Sequence, residues 1–145
     1  MNQSFESLRT QCDRLLEQEP KLRIRNVAER LNVSEMQLLA AQCCDAQAVY
    51  LGTDVKEIFK QLDTLGEVMV LTRNEWCVHE RHGLFEDIQV GKASIGIVLG
   101  PDIDLRMFFA CWKTAWAVRQ NGRFSIQFFD ETGMAIHKVY GTEKT

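Results

Sequence analysis

The chain has 145 residues, 46% hydrophobic and 26% charged, with only two prolines. This is the make-up of one globular domain, able to bury roughly 70% of its unfolded surface in a core that needs no staples. A formal charge of -3 lacks the basic excess of a general nucleic-acid binder, and no apolar run reaches the length of a membrane-spanning helix. The first residues, Met1 to Ser7, carry neither the basic nor the apolar region of a signal peptide, so the cytoplasm is the expected location. The five cysteines, Cys12, Cys43, Cys44, Cys77 and Cys111, are odd in number and form no Cys-x-x-Cys spacing. They read as free thiols of a reducing compartment rather than a disulfide framework or zinc site.

The first 45 residues read as helical and residues 46–145 as mainly β. In 5–18, Phe5, Leu8, Cys12, Leu15 and Leu16 recur at helical spacing, and Pro20 ends that helix because the residue before a proline avoids the α region. A second helix spans 23–31, with Ile24, Val27, Ala28 and Leu31 on one face. Asn32 and Val33 turn the chain, and Ser34 is an N-cap for a third helix carrying Met36, Leu38 and Leu39. This pair has the apolar pattern of a helix-turn-helix. Its second helix, however, begins with Glu35 and has no lysine or arginine for phosphates or guanine edges, so a structural helical hairpin is the expected role. A regulatory or protein-interaction module remains the alternative.

After a short strand at 48–51, Thr53 can cap a helix over 54–61 whose apolar stripe is Val55, Ile58, Phe59 and Leu62. From Gly66 the chain alternates strands and turns: 66–72, 75–81, 84–90, 94–99, 103–109, 112–119, 124–130 and 134–140. With the first, these make nine. Short connections between them imply antiparallel hairpins. The expected fold is α+β, with the N-terminal helices packed on a large antiparallel sheet of about nine strands.

Alternation along strands sorts the chemistry. Ile103, Leu105, Met107 and Phe109 share a core face. Asp104, Arg106 and Phe108 share the other, placing a guanidinium between a carboxylate and a ring. That is either a surface ion pair or a cation offered to an anionic or oxygen-bearing ligand. Residues 71–85 hold two of the three histidines. Glu75, Cys77, His79 and Arg81 fall on one face, and Trp76, Val78, Glu80 and His82 on the opposite one. His79 lies mid-strand and is either a metal-ligating imidazole or a hydrogen-bonded structural one. His82 lies beside Gly83 at a turn. His137, flanked on its face by Ala135 and Val139, reads as structural. No nucleophile elbow, zincin helix, dinucleotide fingerprint or phosphate loop occurs.

Four collinear segments carry a resemblance: Pro20-Lys21-Leu22-Arg23-Ile24-Arg25-Asn26-Val27-Ala28-Glu29-Arg30-Leu31; Arg73-Asn74-Glu75-Trp76-Cys77-Val78-His79-Glu80; Asp104-Leu105-Arg106-Met107-Phe108-Phe109; and Ile126-Gln127-Phe128-Phe129-Asp130 with Gly133 and His137-Lys138-Val139-Tyr140. Together they resemble the haemin-degrading, haem-transport family of the HemS-like type. The resemblance implies haem as ligand and a cytoplasmic role in haem transfer. It also implies, for some members, opening of the porphyrin with electrons and oxygen. It implies two tandem copies of this half with haem between them, Arg106 over the distal side of the iron, and His79 as a second ligand to iron. The principal axial histidine follows the first half and has no counterpart before Thr145. The chain is therefore expected to be an isolated first half or a single-copy relative, completed by a second half or by a homodimer. A haem site needs apolar surface, a nitrogen donor and cations for propionates. Phe108, Phe128, Phe129, Trp112 and Trp116 are the candidate aromatics; Arg73, Arg81 and Lys113 are the candidate cations. Cys77 is the competing iron ligand. No nucleic acid and no membrane are expected as partners.

Overall fold

The computed structural model describes residues 5–145, with side chains from Ser7 onward. The expected place of Phe5 on the first helix face thus lies outside the described side chains. Three helices, α1 (Phe5–Gln18), α2 (Ile24–Leu31) and α3 (Glu35–Ala40), precede β1 (Gln47–Gly52) and α4 (Val55–Lys60). Eight strands follow: β2 (Val68–Arg73), β3 (Val78–Gly83), β4 (Ile88–Val90), β5 (Ile95–Leu99), β6 (Asp104–Phe108), β7 (Thr114–Gln120), β8 (Arg123–Phe129) and β9 (Ala135–Gly141). Among the described residues, no helix is long and apolar enough to cross a membrane.

Local chemistry sets the helical ends. Asn32 adopts the left-handed conformation (φ 54°) after α2, and its N–H reaches the carbonyls of Ala28 and Glu29, the satisfied stop that asparagine tolerates. Ser34 and Gln37 form a reciprocal capping box at the start of α3. At α4 the capping side chain is Asp54, not the expected Thr53; its carboxylate accepts the Glu57 N–H. Leu8 and Cys12 of α1 then meet Val27, Ala28 and Leu38 in a small core.

All nine strands form, but in two sheets. A six-stranded antiparallel sheet runs β1-β7-β8-β9-β2-β3, and a three-stranded one runs β4-β5-β6. Two expected strands are shorter than their patterns. Asn74 Oδ1 accepts the amides of Trp76 and Cys77 at 2.8 and 2.9 Å, so 74–77 is a side-chain-closed turn and β3 starts at Val78. Residues 84–87 are irregular, because Phe85 plunges into the core and Asp87 takes a positive φ.

Between the sheets lies the main core. Phe59 of α4 is fully buried against the rings of Phe85, Phe109, Trp112 and Phe128, at centroid distances of 5.6–5.9 Å. The helical module is joined to the large sheet by Leu39 packing on Ala46, Val118, Phe129 and Ala135. A buried ion pair, Lys138 Nζ to Glu35 Oε2 at 3.1 Å, adds a second tie. A third is the Met36 N–H bonded to the Gly133 carbonyl. A Cβ at Gly133 would strike the Ser34 side chain, and φ there is +81°, so both space and backbone call for glycine.

Candidate functional site

Strands β3 and β6 are each the last strand of their sheet, and the seam between these two edges is open. In register, Thr72 stands opposite His79 and Val70 opposite Arg81. Directly opposed residues point to one side of a sheet, so His79 and Arg81 share the side of Val70, which is buried. They overhang the rim of the main core. Across from them come Asp102, Ile103, Asp104 and Leu105, and together these residues enclose a cleft of about 260 Å³. Arg81 Nη2 donates to Asp102 Oδ1 at 2.8 Å, and its Nε to the Asp102 carbonyl at 3.2 Å. His79 is exposed, and its ring makes no hydrogen bond or ion pair with any described residue.

β6 behaves as its alternation requires. Ile103, Met107 and Phe109 are buried, and Leu105 packs against the same core. Asp104, Arg106 and Phe108 face outward, with Arg106 Nη1 held by Asp104 Oδ1 at 2.8 Å. Opposite them on β5 stand Leu99, Ile97 and Ile95 respectively. The outer face of the small sheet is thus an apolar plate crossed by the Arg106–Asp104 ion pair, with Gln89 opposite Ile97. Phe108 is 63% exposed, Ile95 50% and Leu99 44%, an unusual concentration of open apolar surface.

The structure therefore brings His79, Arg81 and Asp104 to one cleft, with Arg106 bonded to its rim through Asp104. Arg106 and Phe108 lie on the adjoining plate. Arg73 is one rung from His79, opposite Val78 at the turn end of the hairpin, but alternation puts it on the other face of the sheet, and its buried Nε has no partner. Cys77 sits in the Asn74 turn rather than on the strand face expected for it. Among the candidate aromatics, Phe128, Phe129 and Trp112 belong to the core, and the partly buried Trp116 packs on Tyr50 at 5.1 Å. Phe108 alone of these faces solvent widely. Asp102 was not legible as a site residue, because only long-range folding sets it against β3. Ile95 and Leu99 carried a usable signal, the alternation of strand 94–99.

His137 is structural, as its neighbours implied. It is 1% exposed inside the ring cage of Phe59, Phe85, Trp112 and Phe128, and shares a 2.8 Å hydrogen bond between Nδ1 and Thr72 Oγ1. Burial pushes it down to about 4. The unfolded chain takes up this proton near pH 6.5 whereas the fold refuses it until about pH 4. Stability is complete above pH 6.5 and falls as pH drops toward 4, by up to about 3 kcal/mol. Urea unfolding at pH 7 and pH 4.5 measures this loss, and His137→Gln should flatten the His137 part of the slope.

A larger cavity, about 650 Å³, lies between α2–α3 and the β2–β3 turn, bordered by Arg25, Glu29, Trp76 and Met134; it holds none of the site residues named from sequence. Among the described residues, no cluster of three His, Cys, Asp or Glu side chains is placed to hold a metal ion.

Comparison with known proteins places this geometry. The family model of the haemin-degrading HemS.ChuX domain matches residues 32–145. The hemin transport protein HemS of Yersinia enterocolitica is 36% identical over 126 residues, covering 83% of this chain and 36% of that protein. The crystal structure of holo-PhuS, a heme-binding protein from Pseudomonas aeruginosa, superposes with a TM-score of 0.90 at 38% identity, over 97% of this chain and 42% of that one. The heme degrading enzyme ChuS of Escherichia coli O157:H7 gives 0.88 at 33% identity, over 98% and 44%. ChuX shares the fold, with a TM-score of 0.70 at 17% identity and 82% of its own length covered. The chain thus spans about two fifths of the length of the first three relatives. With the match extending from residue 32 to the last residue, the chain belongs to the haemin-degrading HemS.ChuX domain family.

Proposed function

We propose that the chain binds haem on the outer face of the small sheet and handles it for intracellular transfer. The observation that carries this reading is the exposed plate of Ile95, Leu99 and Phe108 with Arg106 set among them. A flat macrocycle with anionic edges is what such a plate suits: apolar contact beneath, a guanidinium for oxygen or charge. When bound, haem supplies the iron and, in a degrading relative, the ring to be opened. Arg106 must leave Asp104 to reach a ligand; an exposed pair of this kind is worth little, so the exchange is cheap. His79 is the proposed nitrogen donor to iron, because its ring is accessible and unengaged. The 260 Å³ cleft is below the ~300–1,000 Å³ that encloses a drug-sized ligand, so His79 serves a ligand lying across the mouth. Arg81, freed from Asp102, and Arg73, beside His79 in register but on the other face of the sheet, are the proposed propionate partners, the first better placed.

Transfer is favoured over breakdown because the plate is open, and a site for ring-opening chemistry excludes water. Cytoplasmic residence fits the five free thiols. A DNA-reading role for α2–α3 is disfavoured, since α3 buries Glu35, Leu38 and Leu39 in its own fold.

Haemin titration tests the reading. The expected result is a Soret shift saturating near one haem per chain, weakened about tenfold by Arg106→Ala. His79→Ala should displace the band, while His82→Ala and Cys77→Ser leave it in place. A spectrum no different from free haemin rejects haem binding; a displaced band in Cys77→Ser moves the ligand to the thiol.

The same plate is the proposed contact for a second copy, or for a second half, that completes the site. Sedimentation should show a two-fold dimer at micromolar concentration, disrupted by Phe108→Glu. A strict monomer with and without haem removes the dimer proposal.

A further inference from the structure

α1 places Cys12, fully buried, against the short turn Cys43–Asp45 that leads into β1. The Cys12 and Cys44 sulfurs are 3.0 Å apart although the residues are 32 positions apart in sequence. A disulfide is ~2.05 Å long, so about one ångström of approach separates the contact from a bond. The turn is strained in a way that aims Cys44 inward. Gln42, Cys44 and Asp45 all take left-handed backbone, with φ of 55°, 59° and 56°. Aspartate tolerates that conformation, but at Gln42 and Cys44 it is strained and must be held by the surroundings. Here Gln120 of β7 donates to the Cys44 carbonyl at 2.8 Å. Cys43, also fully buried, supplies a third thiol beside Cys12.

We propose that Cys12 and Cys44 form a reversible disulfide that pins α1 to the entrance of the large sheet, made by exchange with a small disulfide such as oxidised glutathione. Cys44, the less buried of the two, is the entry point. Its thiolate attacks one glutathione sulfur and releases one glutathione thiolate. The Cys12 thiolate then displaces the second glutathione from Cys44. Two protein thiols lose two electrons and two protons, and one glutathione disulfide becomes two glutathione thiols. Burial and then the Cys12 thiol push Cys43 up to about 12, and the same two causes raise Cys44. Asp13 on α1 adds to both, and Arg9 opposes it at Cys43. Cys44, the attacking thiol, is thus kept from its thiolate form, and the bond closes slowly, as a response to sustained oxidation rather than to a brief pulse. The inference is independent of haem binding.

The full chain is equilibrated with oxidised glutathione, alkylated, and mapped by mass spectrometry. The expected result is the loss of two alkylatable thiols, a linked Cys12–Cys44 peptide, and a Tm about 8 °C higher that reverts on reduction. Cys44→Ala should abolish the shift and Cys43→Ala should preserve it; both spare the fully buried Cys12. Five alkylated thiols, glutathione retained on Cys44, or linkage only through Cys43, Cys77 or Cys111 would each overturn the proposal.

Discussion

Phe59→Ala is expected to lower the unfolding free energy by about 3–5 kcal/mol. α4 has only six residues, too few to hold itself helical in water, so its place depends on what Phe59 inserts into. That socket is built of rings from separate parts of the chain. Phe85 meets Phe59 edge-on at 5.6 Å, Phe109 at 5.6 Å, Trp112 at 5.9 Å, Phe128 at 5.9 Å and His137 at 6.1 Å. Stiff rings on unlike elements cannot close over the gap, which puts the cost at the upper part of the range. The same cluster includes Val98, Ile103 and Met107 of the small sheet and its entry. The substitution should therefore also loosen the seam beside His79. Urea unfolding at constant m reads the loss as a fall in midpoint; a change below about 1 kcal/mol would mean that the cage is not the keystone of the core.

Breaking the Lys138–Glu35 pair should cost a comparable amount. Both side chains are at most 7% exposed and meet at 3.1 Å. Lys138→Ala leaves a buried carboxylate without its cation, and Glu35→Ala leaves a buried ammonium. Each single change should lose about 3–5 kcal/mol. Replacing both with Glu35→Leu and Lys138→Met should lose far less than the sum, because neither leaves a charge behind. Such a pair contributes little net stability, yet it ties α3 to β9 across the chain. A double-mutant cycle by urea unfolding decides it. Additive losses would show that the two charges are not coupled.

Local chemistry was legible from the sequence alone. Pro20, Asn32 and Ser34 set helix ends, because a cap needs only neighbours within a few positions. The outward set Asp104, Arg106 and Phe108 followed from strand alternation, and the family followed from collinear segments. What failed was also local in part. Asn74 spent its side chain on the amides of Trp76 and Cys77, ending a strand that periodicity alone extended to Glu75. Everything else was decided by contacts across the chain. His79 and His137 sit on similar alternating strands, yet one is open and the other caged. The difference is that β3 is an edge and β9 is central, a fact of strand order. The split into two sheets, the pairing of Arg81 with Asp102, and the 32-residue approach of Cys44 to Cys12 belong to the same class. A sequence specifies which face of an element is apolar, since that is a property of a few adjacent residues. Which other face covers it is settled only when all elements compete to bury their surface together.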